Sequence, residues 1–286
     1  MTQQESRPNA TPKTRVAIVA PGKRLEREHA DAVKELVSAD PSIDLHFHPQ
    51  CFARHGHFAG PDAERLGALI ECANDSGFDA VWFANGGYGS NRIAADAVAQ
   101  MGEAARAKRY LGYSDAGFIL AALYKAGIGQ PAHGPMVGDI RRDYGNGAIR
   151  RSLDFLSGGD AGLEPSLDGR PAAAFNLMTL AMLCGTDLMP DLTGHVVMVE
   201  EVSEHLYAID RLFFHIVQHL HGTAGLRLGR ISDVPENDRP FGLSEEDIAG
   251  FWCAKAGIEY LGRADIGHDA ANTIVPFGLA ARAYGQ

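Results

Sequence analysis

The chemistry of this sequence concentrates in one short stretch, Asn85-Gly86-Gly87-Tyr88-Gly89-Ser90-Asn91-Arg92. The apolar run Ala80-Val81-Trp82-Phe83 comes just before it and reads as a buried strand. Ile93, Ala94, Ala97, Val98 and Met101 follow at helical spacing. Ser90 is therefore expected on a tight strand-to-helix turn. Small neighbours expose a hydroxyl there as a nucleophile, and backbone N–H groups at the helix start can receive an oxyanion. The spelling is not G-x-S-x-G, so two other readings stand beside this one. Ser90 could merely cap the helix. The loop could also cradle a phosphate, although it lacks the Lys-Ser/Thr ending and the G-x-G-x-x-G spacing.

A serine nucleophile needs a base and a carboxylate that orients the base. Among the 12 histidines, His133 in His133-Gly134-Pro135-Met136 and His268 in Gly267-His268-Asp269 lie in glycine-flanked loops, the usual carriers of active-site groups. Sequence alone cannot pair either with Ser90. Glu200 and Glu201 close an apolar strand, and alternation turns one of them toward the core. The pairs His46/His48, His55/His57 and His215/His219 have metal-ligand types, but none brings a third or fourth ligand, and the last is not H-E-x-x-H. No metal is expected.

The elements that must hold these residues alternate. Strands are expected at Arg15–Ala20, Ile43–His48, Ala80–Ala84 and Tyr110–Tyr113. Helices are expected over residues 30–37, over 61–72, after Ser90, and up to Lys125, the last capped by Ser114-Asp115. Such alternation implies an α/β fold with a parallel, doubly wound sheet, whose ligands bind at the carboxyl ends of the strands. The Gly-, Asp- and Arg-rich stretch near Gly145–Pro171 reads as a linker. Beyond it come an apolar helix over Ala173–Leu183, a strand over His195–Val199, a helix over Tyr207–Leu220, a strand over Leu226–Ile231 and a helix over Glu245–Ala256. The expected organisation is a disordered tail (1–13), an N-terminal α/β nucleophile domain (14–150), a linker (151–172) and a C-terminal α/β domain (173–286).

Composition bounds the function. The chain has 286 residues, 45% hydrophobic and 22% charged, which is enough to build a sizeable core. Its net charge of −10 disfavours nucleic acid or an anionic membrane as partner. No apolar run approaches a membrane span, and the polar N-terminus has no signal-peptide core. Four widely spaced cysteines without C-x-x-C suit reduced thiols in a cytoplasmic protein.

Taken in order, the motifs Gly86-Gly87-Tyr88-Gly89-Ser90-Asn91-Arg92, Gly112-Tyr113-Ser114-Asp115, His133-Gly134-Pro135-Met136, Glu200-Glu201-Val202-Ser203-Glu204 with Ile209-Asp210-Arg211, and Gly267-His268 followed by Pro276-Phe277-Gly278 resemble the LD-carboxypeptidase family. That family comprises muramoyltetrapeptide carboxypeptidases and microcin-immunity peptidases. The resemblance runs nearly the whole chain from Thr14.

It implies a flavodoxin-like N-terminal sheet domain, a C-terminal mixed α/β domain, a site between them and a homodimer. It also implies a Ser-His-Glu triad, with Ser90 the nucleophile, Glu200 the orienting carboxylate and His268 the base. Gly87 and Asn91 match the oxyanion-hole region, and Tyr88, Arg92 and Glu201 are candidate substrate contacts. No cofactor is implied. The implied substrate is a murein tetrapeptide that loses its terminal D-alanine in cytoplasmic peptidoglycan recycling. The alternatives are an immunity-type peptidase or amidase acting on peptidyl or aminoacyl-nucleotide conjugates, and a non-catalytic small-molecule binding protein. The chain departs from the family pattern at Asn85, where an Arg is usual, at Ala174-Phe175-Asn176-Leu177, and at Gln130-Pro131-Ala132 before His133.

Overall fold

The structure is a computed structural model and describes residues 13–280. Of the expected tail, residues 1–12 lie outside the described residues. The first half runs β1 (Thr14–Val19), α1 (Arg27–Val37), β2 (Ile43–Phe47), α2 (Asp62–Asn74), β3 (Ala80–Phe83), α3 (Ala94–Ala99), α4 (Glu103–Arg106), β4 (Arg109–Gly112), α5 (Gly117–Lys125), β5 (Gln130–His133) and α6 (Gly145–Leu156). The second runs β6 (Ala172–Asn176), α7 (Leu177–Leu183), β7 (Val196–Val202), α8 (Leu206–Ile216), β8 (Gly225–Ser232), α9 (Glu245–Ala256), β9 (Tyr260–Arg263) and β10 (Val275–Pro276).

The fold is α/β, with two separate sheets. The first has the order β10-β5-β4-β3-β1-β2, parallel throughout except for β10, which pairs antiparallel with β5. Without β10 this is the flavodoxin-like order, whose crevice opens at the β1/β3 switch point. β3 is buried on both faces, as parallel strands under helices must be. The second sheet is β6-β7-β8-β9, all parallel. A continuous apolar core joins Tyr113, Phe118 and Ile119 of the first half to Phe175, Leu180 and Phe277 of the second. Pairing of Val275 with His133 stitches the end of the chain onto the first sheet.

Several elements differ from the sequence expectation. Ala172–Asn176 is a buried strand, not the start of a helix. Its run of alanines favours helix locally, but a slot beside β7 accepts a small-residue strand, and the Asn176 side chain then caps α7 by accepting from the Thr179 N–H at 3.0 Å. Within the glycine-rich middle, α6 forms because Ala148, Ile149, Ser152, Leu153 and Leu156 line up on one buried face. β5 carries Pro131 and spans four residues, too short for a periodic signal.

Candidate active site

Ser90 stands at the switch point. It follows Gly89, whose φ of +135° no other residue adopts without strain. A Cβ on Gly89 would also come within 2.9 Å of the Phe58 ring. Ser90 is 1% exposed and caps no helix. Its Oγ has no hydrogen-bond partner among the described residues. That outcome separates it from the capping alternative, because a cap spends its hydroxyl on the backbone. Buried Arg65 braces the turn from behind, donating to the carbonyls of Gly89 (3.0 Å) and Pro21.

Glu200 and His268 arrive from the second half. Glu200, fully buried in β7, accepts from His268 Nδ1 through Oε2 at 2.8 Å. This leaves Nε2 as the free ring nitrogen. A bulge between Val199 and Glu201 breaks the β7–β8 register, and bulges of this kind re-aim side chains beside sites. Gly229 of β8 makes room, since a Cβ there would lie 2.7 Å from Ile266 and 3.0 Å from Glu200 Cβ. Arg230 then fixes the His268 loop, clasping Asp269 from Nη2 at 2.9 Å and Nε at 2.5 Å. Burial works against a charged His268. The charge and hydrogen bond of Glu200 outweigh it, so the imidazole pKa rises above its usual value.

His133, the other candidate base, has no carboxylate as a hydrogen-bond partner among the described residues. It is fully buried at the end of β5, with Nε2 3.3 Å from Asn272 Oδ1, and burial pulls its pKa down to about 4. It packs edge-on against Tyr113 while His268 packs on the same ring, with centroids at 5.6 Å and 4.8 Å.

A cleft of about 660 Å³ runs between the halves, lined by Gly87, Tyr88, Asn91, Ser114, Asp115 and His268 among others, with Ser114 held at a φ of +60° and with Ser90 itself not among the lining residues. Met178, Met182, Leu188 and Phe118 form an apolar wall. Tyr88, half exposed, lines the cleft, and its ring lies near those of Phe58 and His57, with centroids at 6.0 Å and 6.3 Å. Glu201 also lines it, but its carboxylate already accepts from Asn176 Nδ2 (2.7 Å), the Val202 N–H (2.9 Å) and the Met178 N–H (2.8 Å). Arg92 does not itself line the cleft; its guanidinium is bound by Asp62 at 2.6 Å and also interacts with Tyr88, which does. Asn85 donates to the Arg24 carbonyl at 3.1 Å. The Ser114-Asp115 cap expected for α5 is not made. Asp115 Oδ2 instead accepts the Ser90 N–H at 2.7 Å, a cross-turn bond invisible to local pattern.

Arg65, Gly229, Arg230 and Asp115 are thus site-building residues that sequence reasoning did not single out for these roles. A buried arginine has no periodic signature. Only the Gly112-Tyr113-Ser114-Asp115 motif pointed at any of them.

The chain matches two adjoining parts of one family. Residues 16–134 match the LD-carboxypeptidase N-terminal domain, and residues 172–283 match the LD-carboxypeptidase C-terminal domain. A Synechocystis sp. protein whose provisional name is that of a carboxypeptidase is 30% identical over 96% of this chain and 93% of its own. The murein tetrapeptide carboxypeptidase of Pseudomonas aeruginosa is 24% identical over 93% of this chain and 92% of its own. Among solved structures, muramoyltetrapeptide carboxypeptidase from Oxalobacter formigenes superposes with a TM-score of 0.78 at 23% identity, covering 93% of each chain. The microcin C7 self-immunity protein MccF, in complex with glutamyl sulfamoyl guanosine, superposes with a TM-score of 0.75 at 14% identity, covering 95% of this chain and 92% of that one.

Proposed function

The chain belongs to the LD-carboxypeptidase family and is a serine-type carboxypeptidase, and from that premise we propose that it removes the terminal D-alanine from murein tetrapeptides through Ser90, His268 and Glu200. The observation that carries this reading is the buried Glu200–His268 pair, 2.8 Å apart, whose His268 lines the same cleft as Gly87 and Asn91 of the turn that carries Ser90. Residues 14–150 supply the nucleophile, and residues 173–286 supply the acid and base.

His268 Nε2 takes the Ser90 proton while Glu200 holds the ring in the required tautomer and stabilises its charged form. The Ser90 oxygen attacks the carbonyl before the terminal D-alanine. The backbone N–H groups of Gly87 and Asn91 receive the oxyanion, each such donor contributing ~3–4 kcal/mol in comparable sites. His268 then protonates the leaving amine, D-alanine departs, and water activated by His268 hydrolyses the acyl-enzyme. Ser90 Oγ and His268 are not hydrogen bonded in the free protein. Catalytic contacts commonly tighten only with substrate.

The murein name of the Pseudomonas aeruginosa relative supports the substrate. A cytoplasmic homodimer acting in peptidoglycan recycling completes the reading. The apolar wall of Phe118, Met178, Met182 and Leu188 favours one second reading, an aminoacyl-nucleotide conjugate whose base lies on that wall. Release of D-alanine from murein tetrapeptide by wild type, lost in Ser90→Ala, is the expected result. Cleavage of an aminoacyl-sulfamoyl nucleoside with no D-alanine release would select the second reading.

A further inference from the structure

A carboxypeptidase cuts only beside a chain end, so some group must recognise the free carboxylate next to the bond that breaks. The mechanism above names no such group. The cleft wall supplies none: the described residues that line it include the carboxylates Asp115, Glu201 and Glu204 and neither a lysine nor an arginine. Those carboxylates repel an anion. In the reaction read above, His268 protonates the leaving amine, and a single carbon separates that nitrogen from the terminal carboxylate. The group that reads the carboxylate must therefore stand within one residue's reach of His268.

Arg142 meets that condition. His268 packs on the Tyr113 ring, with centroids at 4.8 Å. The hydroxyl of that ring donates to Asp139 Oδ1 at 3.0 Å, and Arg142 Nε donates to the same oxygen at 2.8 Å. Asp139 is buried, and its other oxygen accepts the Met136 N–H at 2.9 Å. This anchor holds the guanidinium by one edge. Beyond Asp139 and the Tyr113 hydroxyl, the guanidinium has no partner among the described residues. The Arg142 side chain is 27% exposed, and its charge acts on both His268 and Asp269. The neighbouring cations are committed elsewhere: Arg230 to Asp269 and Asp265, and Arg151 to the carbonyls of Ala270 and Asn272.

Arg142 follows the short turn Val137–Arg141, which abuts the glycine turn after β3. A Cβ on Gly138 would lie 2.9 Å from Asn85 Oδ1, and one on Gly86 would lie 3.2 Å from Ser114 Oγ, on a residue that lines the cleft. Arg142 does not line the cleft itself, so only the part of a substrate that passes His268 meets it. It comes from the first half of the chain, whereas Met178, Met182 and Leu188 of the apolar wall come from the second. Resting on the reading above, we infer that Arg142 receives the free carboxylate of the terminal residue and so makes this site select peptides that end there. Its planar fork grips both carboxylate oxygens, as a point charge cannot. The inference needs His268 only as the proton donor to the leaving amine.

The test uses two murein tetrapeptides, one ending in D-alanine and one in D-alaninamide, which lacks the anion. The readout is the ratio of kcat/KM for the two within each protein, which does not depend on how much of a variant is folded. Wild type should favour the acid by at least about 100-fold. In Arg142→Ala the acid should lose about 100-fold and the amide less than about 3-fold, so the preference should vanish. Arg142→Lys keeps the ion pair with Asp139 but not the fork, and serves if the alanine variant does not fold. Its preference should drop below about 30-fold. Wild-type preference retained in either variant would overturn the inference. So would a wild type that releases D-alaninamide as readily as D-alanine, an outcome that leaves the murein reading intact. Release from neither peptide by wild type would instead sink the murein reading, and this inference with it.

Discussion

His133 and His268 flank the same tyrosine ring, yet their protons are held in opposite ways. Each packs on Tyr113, His133 from the end of β5 and His268 from a loop beside Gly267. His133 has the Asn272 amide as its hydrogen-bond partner, and burial outweighs that bond and the Glu200 charge to hold its pKa near 4. His268 is also buried, but the Glu200 carboxylate at 2.8 Å reverses the balance and raises its pKa. The difference teaches that burial alone makes a silent histidine. A buried carboxylate on Nδ1 makes one that can accept a proton at Nε2 and hold the resulting charge.

The largest way to break this contrast is Glu200→Gln. Removing the charge leaves burial dominant, so His268 should come to resemble His133. The expected loss in kcat is roughly 10²–10⁴-fold, and the acidic limb of kcat/KM should move to lower pH, read in a pH–rate profile.

Gly229→Ala sharpens the contrast by disturbing Glu200 without removing it. The added Cβ meets Ile266 and Glu200 Cβ, so the carboxylate must shift. Activity should fall about 10–100-fold, while circular dichroism stays that of the native fold.

The histidines should also differ in linkage. The folded-state pKa of His133, about 4, lies below its unfolded value near 6.5. The unfolded chain therefore binds its proton first, and stability falls as pH drops from 6.5 toward 4. His133 contributes at most about 3 kcal/mol of that loss. Urea unfolding at pH 7 and 4.5 should show a smaller drop for His133→Gln than for wild type. His268 has the opposite sign: its contribution is present below pH 6.5 and is lost as pH rises through its raised folded pKa.

The smallest effect belongs to Arg92→Ala. Its guanidinium is spent on Asp62 at the surface, so kcat/KM for the tetrapeptide should change by less than about 3-fold. A loss of 50-fold or more would restore Arg92 as a substrate contact.

What the sequence revealed follows the same division. The Ser90 turn was legible because its signals are local: an apolar run, glycines and a helical period within a few residues. The flavodoxin-like half was legible because its strands and helices alternate regularly. Glu200 and His268 are far apart in sequence and meet only through the bulge in β7 and the loop held by Arg230. Their pairing was read from family resemblance, not from spacing. Ala172–Asn176 misled because helix propensity is a weak prior against a sheet slot that takes small residues. Asp115 misled in a more useful way: an Asp ahead of a helix signals a cap, and only the fold reveals that it reaches another turn.

The most direct test of the central claim is the pH dependence of Ser90 modification by a fluorophosphonate in wild type and Glu200→Gln. Wild type should show one acidic limb with a midpoint above 6.5, and the variant should label more slowly with that midpoint displaced below 6.5. Identical limbs in the two proteins would contradict the assignment of His268, paired with Glu200, as the base that serves Ser90.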